Sequence, residues 1–476
     1  HYAVAFQFVL VALTVLMISY IVLRCPHNSY QIAWLTLLAL MPAVALIMYI
    51  VIRLVPGTAH LTAQVHEKEL LTELHLVDNE DARRDLAQMD NKYVGLFRYL
   101  ATTCRYPTYY GKDVTYFSTG EEAIEALFAD LEKAEKFIFM EYFIIGEGYV
   151  WDTVLEVLRK KVKEGVEVRL MYDGTCSISL LPYEYPKQLR EYGIQCKEFG
   201  PIVPILSTSQ NNRDHRKICV VDGKVAFTGG VNLADEYINK KVRFGHWKDT
   251  AIKIEGDAVQ SFTMMFLQMW NITERQPEDY AKYLTEKQPG FSRKDGYIIP
   301  YGDSPFDHEN VGEEVYFHIL NHAKKYVHIM TPYLILDNEM IDALTRAAKG
   351  GIEVQIIMPH IPDKPYAFYL AKTYYEELIA GGVEIYEYTP GFVHAKVFTS
   401  DDDTATVGSI NLDYRSLYLH FECGVFIYRN PVVRDIEKDF QETLAKCQKV
   451  TMTEVRNRST FVKIYGQVLR IVAPLM

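Results

Sequence analysis

Two stretches of this chain carry the same reactive side chains at the same spacing: HRKICVVDGKVAFTGGVN at 215–232 and HAKVFTSDDDTATVGSIN at 394–411. In each, a histidine is followed two residues later by a lysine and five residues after that by an aspartate. A Gly-Gly or Gly-Ser pair comes next, with an asparagine two places beyond it. The aligned columns are His215 and His394, Lys217 and Lys396, Asp222 and Asp401, Gly229 and Gly408, Asn232 and Asn411. Residues around each histidine alternate like a strand, so His and Lys at i and i+2 share a face. The glycine turn lets backbone and a short polar side chain approach an anion closely. Lysine and asparagine can hold the non-bridging oxygens of a phosphate, while histidine attacks phosphorus or protonates the leaving oxygen. With one histidine per copy, two can face each other across a pseudo-twofold interface, one as nucleophile and one as general acid. The ammonium groups supply the charge that Mg²⁺ supplies elsewhere, so neither a metal nor a cofactor is expected. A nucleophilic imidazole must be neutral and held in place, usually by a carboxylate on its second nitrogen. Asp249 in HWKDT and Glu422 in HFECGVFI are the candidates. A single His-x-Lys would read as a solvated surface pair. Its repetition 179 residues apart counts against that.

The elements that must position these residues are legible around them. From residue 121 helical and strand-like patterns alternate: EEAIEALFADLEKA, KFIFMEYFII, WDTVLEVLRKKVKEG, then VEVRLMYD. The succession recurs as EEVYFHILNHAKK, YVHIMTPYLI, NEMIDALTRAAKGG and IEVQIIMP. That order predicts α/β halves with mixed, largely parallel sheets flanked by helices. Two homologous halves follow, 112–290 and 291–455, each holding one motif. Before them, residues 3–23 and 32–52 carry no charge, and each is one bilayer thickness long as a helix. Residues 1–55 are therefore read as a two-helix transmembrane hairpin and 56–111 as a connector with helix-like segments at 61–76 and 79–104. The tail 456–476 is basic, with a helical stripe at Val462, Tyr465, Val468, Leu469 and Val472. It is read as an amphipathic helix that packs at the end of the fold or lies on a membrane surface.

Composition narrows the partners. The 476 residues carry a net charge of −11, which argues against a general nucleic-acid binder. Seven cysteines (25, 104, 176, 196, 219, 423 and 447) are scattered without a C-x-x-C pair, which favours a reducing compartment over a disulfide framework or zinc site. Arg24 and Arg53 give the positive-inside rule little to work with, so the cysteines place the catalytic part on the cytoplasmic side.

The paired HxKxxxxD stretches resemble those of the phospholipase D superfamily. NRDHRKICVVDGKVAFTGGVNLADEYI, GHWKDTAIKIEGDAV, TPGFVHAKVFTSDDDTATVGSINLDYRSLYLHFE, the N-terminal spans and the terminal APLM are similar to its bacterial cardiolipin synthase branch. The likeness covers essentially the whole chain. It implies two phospholipase D-like α/β halves forming a pseudo-twofold bilobal catalytic domain behind the transmembrane hairpin. It also implies a multi-pass protein of the bacterial cell membrane, with phosphatidylglycerol and cardiolipin as lipid partners and the bilayer as its setting. The implied reaction moves a phosphatidyl group from one phosphatidylglycerol to a glycerol hydroxyl of another and releases glycerol. Carried over by position, the catalytic set is His215, Lys217, Asp222, His394, Lys396 and Asp401. His215 would form the phosphohistidine and His394 would be general acid, then base. The two lysines with Asn232 and Asn411 would hold the phosphate, and Ser409, which the first copy lacks, could add a hydroxyl. Asp249 would orient His215 and Glu422 would orient His394. Asp222 and Asp401 read as holders of the motif's turn.

Smaller features are weighed beside these. Tyr142 and Pro332-Tyr333 end equivalent strands and suit either pocket or core. Arg213, Arg216 and Arg415 suit lipid headgroups or surface ion pairs. The apolar loop GPIVPIL at 200–206 could dip into a bilayer beside the site. The competing functions are a phospholipase D using water, a transferase using another alcohol, a nuclease, and a catalytically dead lipid-binding scaffold. Oligomeric state stays open, with a homo-oligomer allowed.

Overall fold

A computed structural model describes residues 2–24, 28–54, 58–76, 79–89, 91–202, 208–274, 276, 278–285 and 292–475. Two sheets dominate it. The first runs in the order Val114–Phe117, Ala251–Glu255, Val225–Gly229, Lys217–Val221, Phe137–Tyr142, Glu167–Asp173, Gln195–Phe199. The second follows the same plan: Tyr297–Asp303, Glu422–Tyr428, Thr404–Gly408, Val397–Ser400, Tyr326–Met330, Glu353–Pro359, Glu384–Tyr388. It has one extra strand at each edge, Tyr109–Tyr110 and Cys447–Lys449.

The expectation of largely parallel sheets is corrected here. In each sheet only the last two pairings of this shared order are parallel, and the rest are antiparallel. The reason lies in the motif. Each His-x-Lys strand turns straight back into its Gly-rich strand through residues with positive φ, Asp222 and Gly223 or Asp401 and Asp402. So short a turn can join only antiparallel neighbours. Parallel pairing is left to strands linked by helices such as Tyr149–Lys163 and Asn338–Lys349.

Three buried layers hold the halves. The sheets face each other across a shared core built from Ile218, Val220 and Ile252 on one side and Val407, Val425 and Ile427 on the other. The first sheet's outer face packs on helices Gly120–Leu131 and Tyr149–Lys163 through Leu127, Trp151 and Leu158. The second is covered by Val311–His322, Asn338–Lys349 and Pro365–Ala380. Strands buried on both faces read as the near-continuous apolar runs seen in the sequence.

The stretch expected as a connector is folded into this body. Tyr93, Leu96, Phe97 and Leu100 are spaced as one helical stripe and join the second sheet's outer core. Tyr109–Tyr110 then pairs with Tyr297–Asp303 of the same sheet. At the N-terminus, Tyr2–Arg24 is, among the described residues, the one helix long and apolar enough to cross a membrane. The second uncharged stretch is two helices, Asn28–Leu40 and Pro42–Leu54, because Pro42 has no backbone N–H to continue the first. Trp34, Leu38, Ala45 and Tyr49 bury themselves with Ile21 of the first helix. The tail forms Met452–Arg456 and Thr460–Val472, the latter lying on Pro365–Ala380 with Arg470 donating to Glu377 at 3.1 Å.

Candidate active site

Both histidines stand at the entrance of their strands, buried, where the sheets meet. His215 is 6% exposed and His394 7%. The backbone of each is tied to the opposite half: His215 N–H donates to Phe421 C=O at 2.9 Å, and His394 N–H to Lys248 C=O at 2.7 Å. The next residue along each partner segment is a fully buried carboxylate. Glu422 therefore reaches His215, with its two oxygens 2.8 and 3.0 Å from Nδ1. Asp249 reaches His394, with Oδ2 2.7 Å from Nδ1. This reverses the expected pairing, in which each carboxylate served the histidine of its own half. The two halves exchange carboxylates because each histidine enters its sheet alongside the other half's carboxylate segment, through the parallel contacts Asp214–Phe421 and Phe392–Trp247.

The environments set the protonation. Burial and the Lys217 ammonium push the His215 imidazole well below its ordinary pKa, outweighing the pull of Glu422. Burial, then Lys396, lowers His394 to about 4 against the opposing Asp249. Burial alone would raise Glu422, but the His215 contact and Lys217 hold it below the usual carboxylate range. An ionised Glu422 therefore accepts from a neutral His215 through Nδ1–H and leaves Nε2 with a free lone pair. Lys217 and Lys396 each donate to the carbonyl of their own histidine, and Lys396 Nζ is also 3.0 Å from His394 Nδ1. Burial lowers Lys217 to about 8 and Lys396 to about 7, so an arriving anion would restore full charge to both.

Other expected members sort differently. Asp222 accepts from the N–H groups of Glu135, Lys136 and Phe137 at 2.7–2.8 Å, and Asp401 from those of Lys324 and Lys325 at 2.8 Å. Both tie the motif's turn to a neighbouring strand, at the opposite end of the strand from the histidine. They are not part of the reacting cluster. Ser409 is not free to hold phosphate. Its hydroxyl donates to Glu422 Oε2, and Ser416 donates to Oε1 at 2.7 Å. Asn232 accepts from Ile144 N–H at 2.9 Å and donates to the Tyr237 hydroxyl at 2.8 Å. Among the described residues the buried amide oxygen of Asn411 has no hydrogen-bond partner. Arg216 is withdrawn into an internal pair with Glu141 at 2.6 Å, and Arg213 donates to Gly200 C=O with Asp173 at 3.7 Å. Tyr142 pairs in register with Lys217, and Tyr333 donates to Asp363 at 2.5 Å. Of the loop 200–206, residues 203–206 lie outside the described residues.

Sequence reasoning missed the walls. Phe143 stands edge-on to His215 at 4.7 Å, whereas Trp247, Tyr237 and Phe392 surround His394 at 5.3–5.9 Å. It also missed His420, whose ring lies 5.5 Å from that of His215. Its position two residues before Glu422 was the available signal.

This geometry meets a family match. Residues 127–270 and 316–444 match the family described as "Cardiolipin synthase, PLD-like domain". The chain belongs to that family. As a member it is a phosphatidyltransferase of the phospholipase D type. A cardiolipin synthase of Halalkalibacterium halodurans is 30% identical over 98% of this chain and 93% of its own length. A Streptococcus mutans serotype c protein described only as uncharacterized is 54% identical over 80% of this chain and 82% of its own. Among solved structures, phosphatidylserine synthase of Haemophilus influenzae aligns with a TM-score of 0.60 at 14% identity, covering 80% of this chain and 97% of that one. At that identity the likeness concerns the fold.

Proposed function

We propose that the protein is a membrane-anchored cardiolipin synthase that joins two phosphatidylglycerol molecules and releases glycerol. The observation that carries this reading is the pair of buried histidines, each oriented by a carboxylate from the other half, with a buried lysine two residues on. His215 Nε2 attacks the donor's phosphorus, and the bond to the headgroup glycerol breaks. The leaving oxygen takes a proton from the imidazolium of His394. A bound phosphodiester anion offsets Lys396 and so favours that imidazolium. The acceptor's glycerol hydroxyl then gives its proton to His394 as its oxygen attacks the phosphohistidine, which frees His215. Lys217, Lys396 and Asn411 hold the non-bridging oxygens throughout, with Asn232 fixing the frame beside them.

The catalytic body is a pseudo-twofold pair of halves, 112–290 and 291–455, a reading supported by the common strand order and the exchanged carboxylates. Tyr2–Arg24 and the kinked Asn28–Leu54 segment form a two-span hairpin, with the catalytic body on the cytoplasmic side. Helix Thr460–Val472 exposes Phe461, Ile464, Tyr465, Val468 and Ile471 along one stripe, and it touches helix Asn28–Leu40. That stripe suits the bilayer surface.

Product analysis tests the reaction. Purified protein is given phosphatidylglycerol vesicles beside a His215→Ala variant. Cardiolipin plus free glycerol from the wild type alone is expected. Phosphatidic acid as main product would make the protein a hydrolase, and equal turnover by the variant would remove His215 as nucleophile.

A further inference from the structure

The nucleophile's side of the site holds a group that the proposed reaction leaves unused. His420 is 9% exposed, and among the described residues neither of its ring nitrogens has a partner at hydrogen-bond distance. Buried polar atoms are ordinarily satisfied, so a buried imidazole left without a close hydrogen bond at either nitrogen points to a ligand. Its Nδ1 lies 3.7 Å from Glu422 Oε1, and one ligand atom each from His215, His420 and Glu422 falls within 4.8 Å of the others.

We propose that His215, His420 and Glu422 bind a divalent transition-metal ion of the zinc type, and that its binding switches the nucleophile off. Two imidazoles and a carboxylate with a fourth position left open form a tetrahedral zinc ligand set. With metal–ligand bonds of about 2.1 Å, neighbouring ligand atoms in a tetrahedron stand about 3.4 Å apart. The His420–Glu422 separation is close to that already. The His215 Nδ1–Glu422 Oε1 contact, at 2.8 Å, must open by about 0.6 Å.

The consequence for the reaction follows from proton balance. Neutral His215 has one ring proton, on Nδ1, donated to Glu422. A metal ion taking the Nδ1 lone pair moves that proton to Nε2, the atom that must attack phosphorus, and no proton is lost overall. A metal ion on Nε2 occupies the attacking lone pair directly. Either mode leaves no nucleophile. The His394 side has no comparable third ligand among the described residues, because Trp247, Tyr237 and Phe392 form its walls. The inhibition rests on the reading of His215 as nucleophile; the metal site itself does not.

Cobalt(II) is the probe, titrated into full-length protein in detergent. Wild type and His394→Ala should both show the visible band of tetrahedral cobalt at one equivalent, displaced by Zn²⁺. His420→Asn and His420→Gln, each checked for folding by thermal melting, should bind at least about tenfold more weakly. Zn²⁺ should stop wild-type cardiolipin formation in step with occupancy. Equal cobalt affinity in wild type and both His420 variants, or no tetrahedral band, overturns the site. A fully occupied enzyme that still turns over overturns the switch. A metal-free wild type that makes no cardiolipin counts against the proposed function and leaves the cobalt result standing.

Discussion

The two histidines occupy equivalent places in sheets of the same order, yet their surroundings differ. Around His215 the carboxylate is a glutamate whose oxygens accept from the imidazole and from the Ser409 and Ser416 hydroxyls. Around His394 it is a shorter aspartate, with one oxygen on the imidazole, the other accepting Thr250 N–H at 2.8 Å, and aromatic rings for walls. The His215 contact and Lys217 keep Glu422 ionised, the two hydroxyls fix its position, and so His215 is held in the tautomer with Nε2 unprotonated. His394 shares its Nδ1 between Asp249 and Lys396, a balance that one arriving negative charge can tip. The shared strand order sets each histidine in a similar frame. The side chains around each carboxylate are what differ between the two sites.

The largest expected effect tests the crossed pairing itself. Glu422→Gln should slow phosphoenzyme formation on the order of 10³-fold or more, the scale for an imidazole left in the wrong tautomer. Asp249→Asn should cost a similar factor with phosphatidylglycerol. It should leave phosphoenzyme formation nearly intact when the leaving group is a nitrophenol that needs no proton. A burst of nitrophenol from Asp249→Asn but not from Glu422→Gln supports the exchange. The reverse result would return each carboxylate to its own half.

A smaller effect comes from exchanging the small residues beside the carboxylates. A Cβ on Gly230 would stand 2.0 Å from Asp249 Oδ1 and 2.9 Å from His394 C=O, so Gly230→Ser must push Asp249 off its histidine. It should cost ~1–3 kcal/mol of stability and most activity. Ser409→Gly removes a hydrogen bond to an ionised group, worth about 1.5–3 kcal/mol. It leaves Ser416 in place, so activity should fall less. Thermal melts and turnover of the two variants decide this. A harmless Gly230→Ser would mean that the first half has room for the hydroxyl it lacks.

That pair of positions also shows where sequence reading stops. The repeated His, Lys and Asn were legible because spacing along a strand fixes which face they share, and both carboxylates were legible as candidates that follow the two stretches, Asp249 in HWKDT and Glu422 in HFECGVFI. Which histidine each acid serves was not, because the choice is made by contacts between halves, such as Phe421 with His215, that no local pattern encodes. Ser409 looked like a phosphate ligand because Gly-Ser-x-Asn suits an anion loop; only the reach of Glu422 in three dimensions takes its hydroxyl away. The antiparallel hairpins were within reach of the sequence, since Asp222-Gly223 between apolar runs is a turn signal that the helix–strand alternation overshadowed. His420 was visible too, at i−2 from Glu422, but spacing could not say that, among the described residues, neither of its nitrogens would find a hydrogen bond.

The smallest effect separates the two lysines. After burial, Lys396 is the main force lowering His394 to about 4, and its Nζ lies 3.0 Å from the ring. Removing a neighbouring positive charge favours the imidazolium, so Lys396→Met should raise the His394 pKa by roughly one pH unit, with burial keeping it below the ordinary value. On the other side, Glu422 opposes burial more strongly than Lys217 adds to it. Lys217 Nζ donates to the His215 carbonyl and not to its ring, so Lys217→Met should raise the His215 pKa by less. Titration of both imidazoles by NMR in ¹³C-histidine-labelled protein reads the two shifts. A larger shift at His394 fits a histidine poised to take up a proton when phosphate arrives, beside one kept neutral. Equal shifts would make the lysines interchangeable and leave the carboxylates alone to distinguish nucleophile from acid.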